Sequence, residues 1–493
     1  MGYLWYAFAF TATLLVCITH WVYSFRKPKF NGKLPPGSMG LPILGETLQF
    51  FAPNTALDVA PFIRERMNRY GPLFRTSLVG WPLVISTDPD LSRFILQQEG
   101  KLVHSWYTES FDNVVGKQNV LSAKGAMHKC LRNLILNQFG SESLKTRFLT
   151  QVEELVLKHL QLWSNCTSVE LKEAIASMIF GFTAKKLFDY DESRTPEKLR
   201  ENYAAFLDGL ISFPLKIPGT SYWKCLQGRK RAMKTIRNML DERRASPERE
   251  DKDYIDFVLE EMQKDQTILT EEIVLDLLFA LPFATYETTS SALVLAIQYL
   301  GSHPSALAEI TKEHESILRS RERVDSGITW NEYKSMNFTM MVINETVRLG
   351  NIVPGIFRKV AKDIEIKGYT IPAGWMVMIS PPAVHFNPTL YKDPLVFNPW
   401  RWQCQEPNAG SRNFMGFGGG IRQCVGAEFV KLQMAIFLHH LLTKYRWTVI
   451  KGGDTVWKPG LVFPKGFHVQ ISERTKFIYL LLNYIKYFFI IIL

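Results

Sequence analysis

The most chemically specific segment of the chain is Phe417-Gly-Gly-Gly-Ile-Arg-Gln-Cys-Val-Gly426. Its three consecutive glycines permit tight turns and let the backbone approach a bulky neighbour closely. Gly426 lets the helix expected over residues 425–445 pass equally close, and Arg422 can pair with an anion. The chain holds six cysteines, irregularly spaced and none in a Cys-x-x-Cys pair, which argues against a disulfide scaffold or a zinc finger. One cysteine, Cys424, is then read as a chemical residue and the others as packing; the bland alternative is a Gly-rich turn around a buried free thiol. A second constellation, Ala284-Thr-Tyr-Glu-Thr-Thr289, sets Glu287 beside Thr288 in a long apolar stretch. An acid next to a hydroxyl can relay protons, and apolar flanks argue against a surface turn. A third, Glu345-Thr-Val-Arg348, places opposite charges on one helix face at i, i+3, a spacing that in isolation usually marks a solvated pair.

The elements that must position these groups begin with an anchor. From Tyr3 to Phe25 there is no Asp, Glu, Lys or Arg, and Arg26, Lys27, Lys29 and Lys33 follow. As a helix the stretch would be about 34 Å long, enough to cross a bilayer, with the body on the cytosolic side. A cleaved signal peptide is the rival reading; the missing basic segment before the apolar run and the basic cluster after it oppose it. Leu34 to Pro42 carries three prolines and two glycines and predicts a stiff extended hinge. Beyond it, short β-like pieces (residues 83–86, 364–366 and 375–379) flank a helical middle. Residues 147–163 are amphipathic, 229–244 form a basic helix, 246–253 an exposed charged loop, and 271–299 a long apolar helix bent at Pro282. Hydrophobic residues make up 46 % of the 493, enough for a large core, and no internal repeat or long linker divides it, so one large domain is expected. The formal charge of +11 suits an acidic partner or an anionic membrane surface. No basic tract interleaved with aromatics is present, which excludes nucleic acid as a partner.

Phe417 to Gly426 matches Phe-x-x-Gly-x-Arg-x-Cys-x-Gly and resembles the haem-binding loop of the cytochrome P-450 superfamily, the haem-thiolate mono-oxygenases. That resemblance implies a mainly α fold with small β-sheets (α+β), the cytochrome P-450 fold with an N-terminal transmembrane helix. It implies haem b held by the Cys424 thiolate as axial ligand to iron, with Phe417 packed near the sulfur and Gly420 and Gly426 against the macrocycle. Glu345-Thr-Val-Arg348 and Pro399-Trp-Arg-Trp402 match two further family motifs, in which Glu345, Arg348 and Arg401 form a structural network. Ala284 to Thr289 resembles the oxygen-activating segment, with Glu287 and Thr288 as the proton relay. Thr285 stands where the family usually has Gly, and would narrow the oxygen groove or add a hydroxyl. His128-Lys-Cys-Leu-Arg132 is similar to the family's Trp-x-x-x-Arg, with His128 in place of Trp. Arg132, Arg358 and Arg422 are the implied propionate ligands, with His128 as a further hydrogen-bond donor.

The resemblance runs from the anchor to about residue 472 and is closest in character to the plant eighty-five clan, most like its eighty-seven family of sterol and triterpenoid oxidases. It implies a mono-oxygenase that uses O2 and electrons from NADPH through a flavoprotein reductase docked near Cys424. The enzyme would sit in the endoplasmic reticulum membrane by a single pass, with a cytosolic catalytic domain. The implied substrate is a sterol or triterpenoid, with side-chain cleavage to pregnenolone in cardenolide biosynthesis as the sharpest form. Alternatives are a triterpenoid or brassinosteroid hydroxylase, a peroxide-dependent haem isomerase (which Thr288 opposes), and a non-catalytic haem- or sterol-binding membrane protein. The expected pocket draws on Trp106, Phe111, Phe213, Phe279, Phe283, Thr285, Val353, Ile356 and Val462, each equally readable as core. The expected organisation is an anchor over 1–25, a basic Pro-rich hinge over 26–46, a haem mono-oxygenase domain over 47–472 and an atypical apolar tail over 473–493.

Overall fold

Glu271–Ser302, thirty-two residues, form one continuous helix with Pro282 inside it. Its residues are buried on almost every side, as expected for a helix whose sequence is apolar all round rather than along one stripe. Thr270 starts it by accepting a hydrogen bond from the Ile273 N–H, a standard N-cap. The structure, a computed structural model, describes all residues except 1, 27–31, 42–43, 56–57, 193–197, 204–205, 211, 213, 247–251, 322, 324–325, 404–412, 458–459 and 475–493. Phe213 and the apolar tail from 475 onward therefore lie outside the described residues, as does most of the charged loop expected over 246–253.

In chain order the helices that matter for the site are α1 (Gly2–Arg26), α2 (Pro89–Gln97), α3 (Gly125–Phe139), α4 (Leu149–Ser164), α5 (Leu171–Phe188), α6 (Ser221–Ala245), α7 (Glu271–Ser302), α8 (Pro304–Arg319), α9 (Asn337–Gly350) and α10 (Ala427–Lys444). Helix α7 is central and packs against α5, α6, α8, α9 and α10. The amphipathic segment expected over 147–163 appears as α4, with Val152, Val156, Leu160 and Trp163 buried, preceded by a π-turn over Leu144–Phe148. The basic helix is longer than the charge pattern predicts: α6 begins at Ser221 because Thr220 caps it through the Trp223 N–H.

The strands are β1 (Leu73–Leu78), β2 (Trp81–Ser86), β3 (Val103–Ser105), β4 (Ile356–Val360) and β5 (Met376–Ile379), which form one sheet in the order β1-β2-β5-β4-β3. Within it Ser105 lies directly opposite Arg358. Smaller sheets pair Ile364–Ile366 with Tyr369–Ile371, and Tyr445–Gly452 with Phe467–Glu473. The architecture is therefore helix-rich with small sheets, as expected.

Helix α1 is exposed along its described side chains, and Gly2–Val22 has a mean hydropathy of 1.5, long and apolar enough to cross a membrane. Among the described residues that follow, Lys33 is fastened to the small sheet at Thr370, and Pro36 and Glu46 to β1 of the main sheet. The Thr370 N–H donates to the Lys33 carbonyl at 2.8 Å, Arg75 N–H to the Pro36 carbonyl at 2.8 Å and Glu46 N–H to the Ser77 carbonyl at 2.8 Å. Glu46 is buried against Arg66 and accepts from Thr76 Oγ1 at 2.6 Å. Gly37 has φ +147° and a Cβ there would meet the Arg75 carbonyl at 2.0 Å, so only glycine allows this close approach.

Candidate active site

The Cys424 loop closes on itself: its N–H donates to the Phe417 carbonyl at 2.9 Å, and the Gly418 N–H donates to the Met415 carbonyl at 2.9 Å. Gly420 has φ +64°, and a Cβ there would lie 2.2 Å from the Leu96 carbonyl at the end of α2. A Cβ on Gly426 would meet no atom within 4 Å, so the backbone next to the sulfur borders open space. Cys424 itself is accessible, while the surrounding protein desolvates the thiol and raises its pKa; the Gly426 N–H and Arg132 pull it the other way. The Gly426 N–H belongs to the start of α10, where unpaired N–H groups favour negative charge, and Arg132 acts from α3.

Three guanidiniums converge beside this loop. Arg422 donates to the Ala123 carbonyl at 2.6 Å and lies 2.9 Å from Glu99 Oε1. Arg358, on β4, lies 3.0 Å from Glu99 Oε2, as an ion pair whose angles fall outside hydrogen bonding, leaving Arg358 Nε and Glu99 Oε2 without hydrogen-bond partners. Arg132, on α3, donates to the Gln423 carbonyl at 2.6 Å. His128, one turn earlier on α3, is buried, and its pKa falls to about 4 through desolvation first and then the charges of Arg422 and Arg132. It is neutral at pH 7, so the cluster carries three positive charges against the single carboxylate of Glu99. That surplus, the orphaned Arg358 nitrogen and the space beside Gly426 fit a flat macrocycle bearing two carboxylates.

In the middle of α7, Ala284 is exposed and Thr288 half-buried on an otherwise buried helix. Spaced i, i+4, they share one face. Thr288 Oγ1 donates to the Ala284 carbonyl at 2.8 Å. Glu287 turns toward α5, where Lys172 Nζ lies 3.0 Å from its Oε1, both side chains less than one-fifth exposed. Thr285 also faces α5: its hydroxyl donates to the Pro282 carbonyl at 2.8 Å and lies 3.1 Å from Thr183 Oγ1. That orientation differs from an extra hydroxyl in an oxygen groove; it ties the part of α7 that follows Pro282 to its neighbour.

Glu345 is fully buried and its two oxygens accept from Arg348 Nε and Nη2 at 2.9 Å, Arg401 Nε at 2.9 Å, Trp402 Nε1 at 3.0 Å and the Asn398 N–H at 3.0 Å. Arg348 Nη1 donates to the carbonyls of His385 and Pro394 at 2.7 Å. His385 carries the network to the cysteine loop. Its Nε2 accepts the Met415 N–H at 3.0 Å, so Nδ1 holds the proton and donates to Asn351 Oδ1 at 2.8 Å. Burial, with Arg348 nearby, lowers the His385 pKa to about 3.

The expected pocket residues separate. Phe279 is fully buried, stacked on Tyr203 with centroids 5.0 Å apart and under the Arg229 guanidinium at 4.7 Å. Phe283 packs on Phe206 at 4.2 Å. Trp106 lies edge-on between Trp81 and Phe357, and Phe111 stacks on Tyr107 at 4.2 Å. Ile356 and Val462 are half-buried, and Val353 is 54 % exposed. Sequence reasoning missed Glu99, Lys172, Thr183 and His385. No local pattern marks them, because each meets its partner across a long stretch of chain.

Residues 35–470 match the family described as cytochrome P-450. The chain is 52 % identical over 456 residues to cytochrome P-450 87A3 of Oryza sativa subsp. japonica, covering 92 % of this chain and 89 % of that one. It is 42 % identical over 465 residues to cucurbitadienol 11-hydroxylase of Siraitia grosvenorii (94 % and 98 % covered). Against a cholesterol 22-monohydroxylase of Paris polyphylla it is 38 % identical over 464 residues (94 % and 98 %). Among solved structures, retinoic acid bound cyanobacterial CYP120A1 superposes with a TM-score of 0.80 at 25 % identity, over 90 % of this chain and 100 % of that one.

Proposed function

The chain belongs to the cytochrome P-450 family, and from that premise we propose that it is a membrane-anchored haem mono-oxygenase that oxidises a sterol or triterpenoid. The observation that carries the site assignment is Cys424 at the start of α10 beside a cationic cluster with surplus charge. The substrate class rests on the hydroxylases of cucurbitadienol and cholesterol to which the chain is similar. Electrons come from NADPH through a flavoprotein reductase. The division is an anchor over 1–25 in the endoplasmic reticulum membrane, a hinge over 26–46, a cytosolic catalytic domain over 47–472 and a tail over 473–493.

In this reading Cys424 would hold the iron, and Arg132, Arg358 and Arg422 would hold the two carboxylates of the macrocycle. Bound haem supplies the activation of O2 that puts one oxygen atom into a C–H bond. The protein's own part is positioning and proton supply. Thr288 holds a proton at Oγ1, parked on the Ala284 carbonyl and free to turn into the space that Ala284 borders. Glu287, paired with Lys172, is the next carrier outward, within reach of water because both are partly exposed. Pro282 sits within this helix, and the Thr285–Thr183 contact holds the next turn against α5.

The carbon-monoxide spectrum of the reduced protein, then turnover with NADPH and reductase, tests the reaction; Cys424→Ala should abolish the thiolate-type band. Feeding cholesterol, phytosterols and tetracyclic triterpenes to a host expressing the chain should yield a hydroxylated product. The finer reading, side-chain cleavage, predicts pregnenolone from the sterols. No oxidised sterol or triterpene in an actively reduced system would overturn the substrate class.

A further inference from the structure

Glu99 is a buried carboxylate, its side chain 3 % exposed, in the tight turn that follows α2. Gly100 shapes that turn with φ +83°, and its N–H donates to the Val103 carbonyl at 2.8 Å. The Glu99 carboxylate thereby arrives between three segments far apart in sequence. Oε1 accepts the Ser105 N–H at 2.9 Å and Arg422 Nε at 3.1 Å, and Oε2 faces Arg358 Nε at 3.0 Å. Ser105 is also the strand partner of Arg358, so one carboxylate fixes the register between β3 and β4 and the direction of both guanidiniums. Arg422 is held further by the carbonyls of Val120, Leu121 and Ala123. Two adjacent guanidiniums repel each other in a poorly solvated site; a carboxylate between them offsets that cost and still leaves the pair with net positive charge for another anion.

We propose that Glu99 is a positioning residue for the cofactor: it aligns Arg358 and Arg422 and sets the net charge offered to the two propionates. This rests on the haem reading of the site. Without Glu99 the two arginines would diverge and the propionates would meet a more positive but less ordered site. A neutral residue there would weaken retention although it raises the positive charge, the opposite of what a purely electrostatic site would do.

The test uses the full-length holoprotein. Glu99→Gln keeps size and an acceptor for Ser105; Glu99→Asp keeps the charge with shorter reach. Haem release, followed as transfer to apomyoglobin, should be about tenfold faster in Glu99→Gln, as for other outer-shell partners of a bound metal, and the reduction potential should become more positive because a buried negative charge is gone. Glu99→Asp should restore the potential and part of the retention. In the cycle with Arg358→Gln, the double variant should release haem scarcely faster than either single one, since both remove the same arrangement. Release within twofold of the parent with an unchanged potential, or additive effects in the cycle, would overturn the proposal. If Glu99→Gln does not fold, the same reading comes from Glu99→Asp, whose parental release rate would also count against it. A parent chain that bound no haem would instead defeat the reading of the site itself.

Discussion

Two buried clusters of arginine and glutamate flank the cysteine loop, and they are built on opposite terms. Around Glu345 the chain satisfies itself: five donors reach the carboxylate, and neither Arg348 nor Arg401 has a buried side-chain nitrogen left over among the described residues. Around Glu99 it does not, since two guanidiniums share one carboxylate, a third (Arg132) stands beside them on the Gln423 carbonyl, and Arg358 Nε is orphaned. Burying charge costs several kcal/mol per ion unless partners are supplied. A closed set of partners makes scaffold, and an open one makes a receptor for whatever anion completes it.

The contrast breaks most visibly at its closed end. Glu345→Ala strands two buried guanidiniums and should cost about 3–5 kcal/mol; little folded holoprotein should be recovered, and a parental thermal midpoint would show the network is dispensable. At the open end, Arg358→Ala removes a charge that already lacks a full partner set. It should leave the fold intact by circular dichroism while lowering haem content, with a stability cost of about 1–2 kcal/mol; equal losses in both variants would erase the distinction.

Acid sharpens the comparison from another direction. His385, in the closed network, has its pKa lowered to about 3, and His314 and His439, paired at 3.0 Å between α8 and α10, are lowered to about 3 and about 2, all by burial first. A histidine whose folded pKa is depressed binds its proton more readily when unfolded. Stability is thus full above the unfolded value near 6.5 and falls as pH drops toward the folded pKa, by up to about 1.4 kcal/mol per pH unit for each group. Glu313, whose pKa is raised by burial, works in the opposite direction and offsets part of one histidine. The thermal midpoint should fall between pH 6.5 and 5, and a flat profile would contradict neutral burial of all three. A modest effect is expected at Thr285→Gly, which loses the link to Thr183 and adds a helical glycine, together about 1–2 kcal/mol; a gain in stability would show that the threonine is strained. Thr288→Ala should leave stability unchanged within about 0.5 kcal/mol yet uncouple NADPH use from product, and unchanged coupling would remove it from proton delivery.

Legibility in the sequence followed distance along the chain. The Cys424 loop and the Glu345–Arg348 pair are local, so spacing alone predicts a tight turn and a shared helix face. The long apolar α7 is legible for the same reason. Glu99 was not, because its partners Arg358 and Arg422 lie on a different strand and a different loop, 323 residues away in the second case. Lys172 and Thr183 belong to α5, whose sequence gives no sign that it faces Glu287 and Thr285. Phe279 shows the converse: an aromatic in the right segment, yet turned into the core because Tyr203 and Arg229 pack on that side of the helix.

The chain that follows helix α1 has a mechanical consequence. Helix α1 ends at Arg26 and, among the described residues, the first backbone hydrogen bond that fastens the following chain to the globule is at Lys33, so the stretch between them can span no more than roughly 25 Å even when drawn taut. In the anchored reading proposed above, the globule would be kept within about one small-protein diameter of the lipid, like a boat on a short mooring. A greasy molecule leaving the bilayer would have little open water to cross before it met the enzyme.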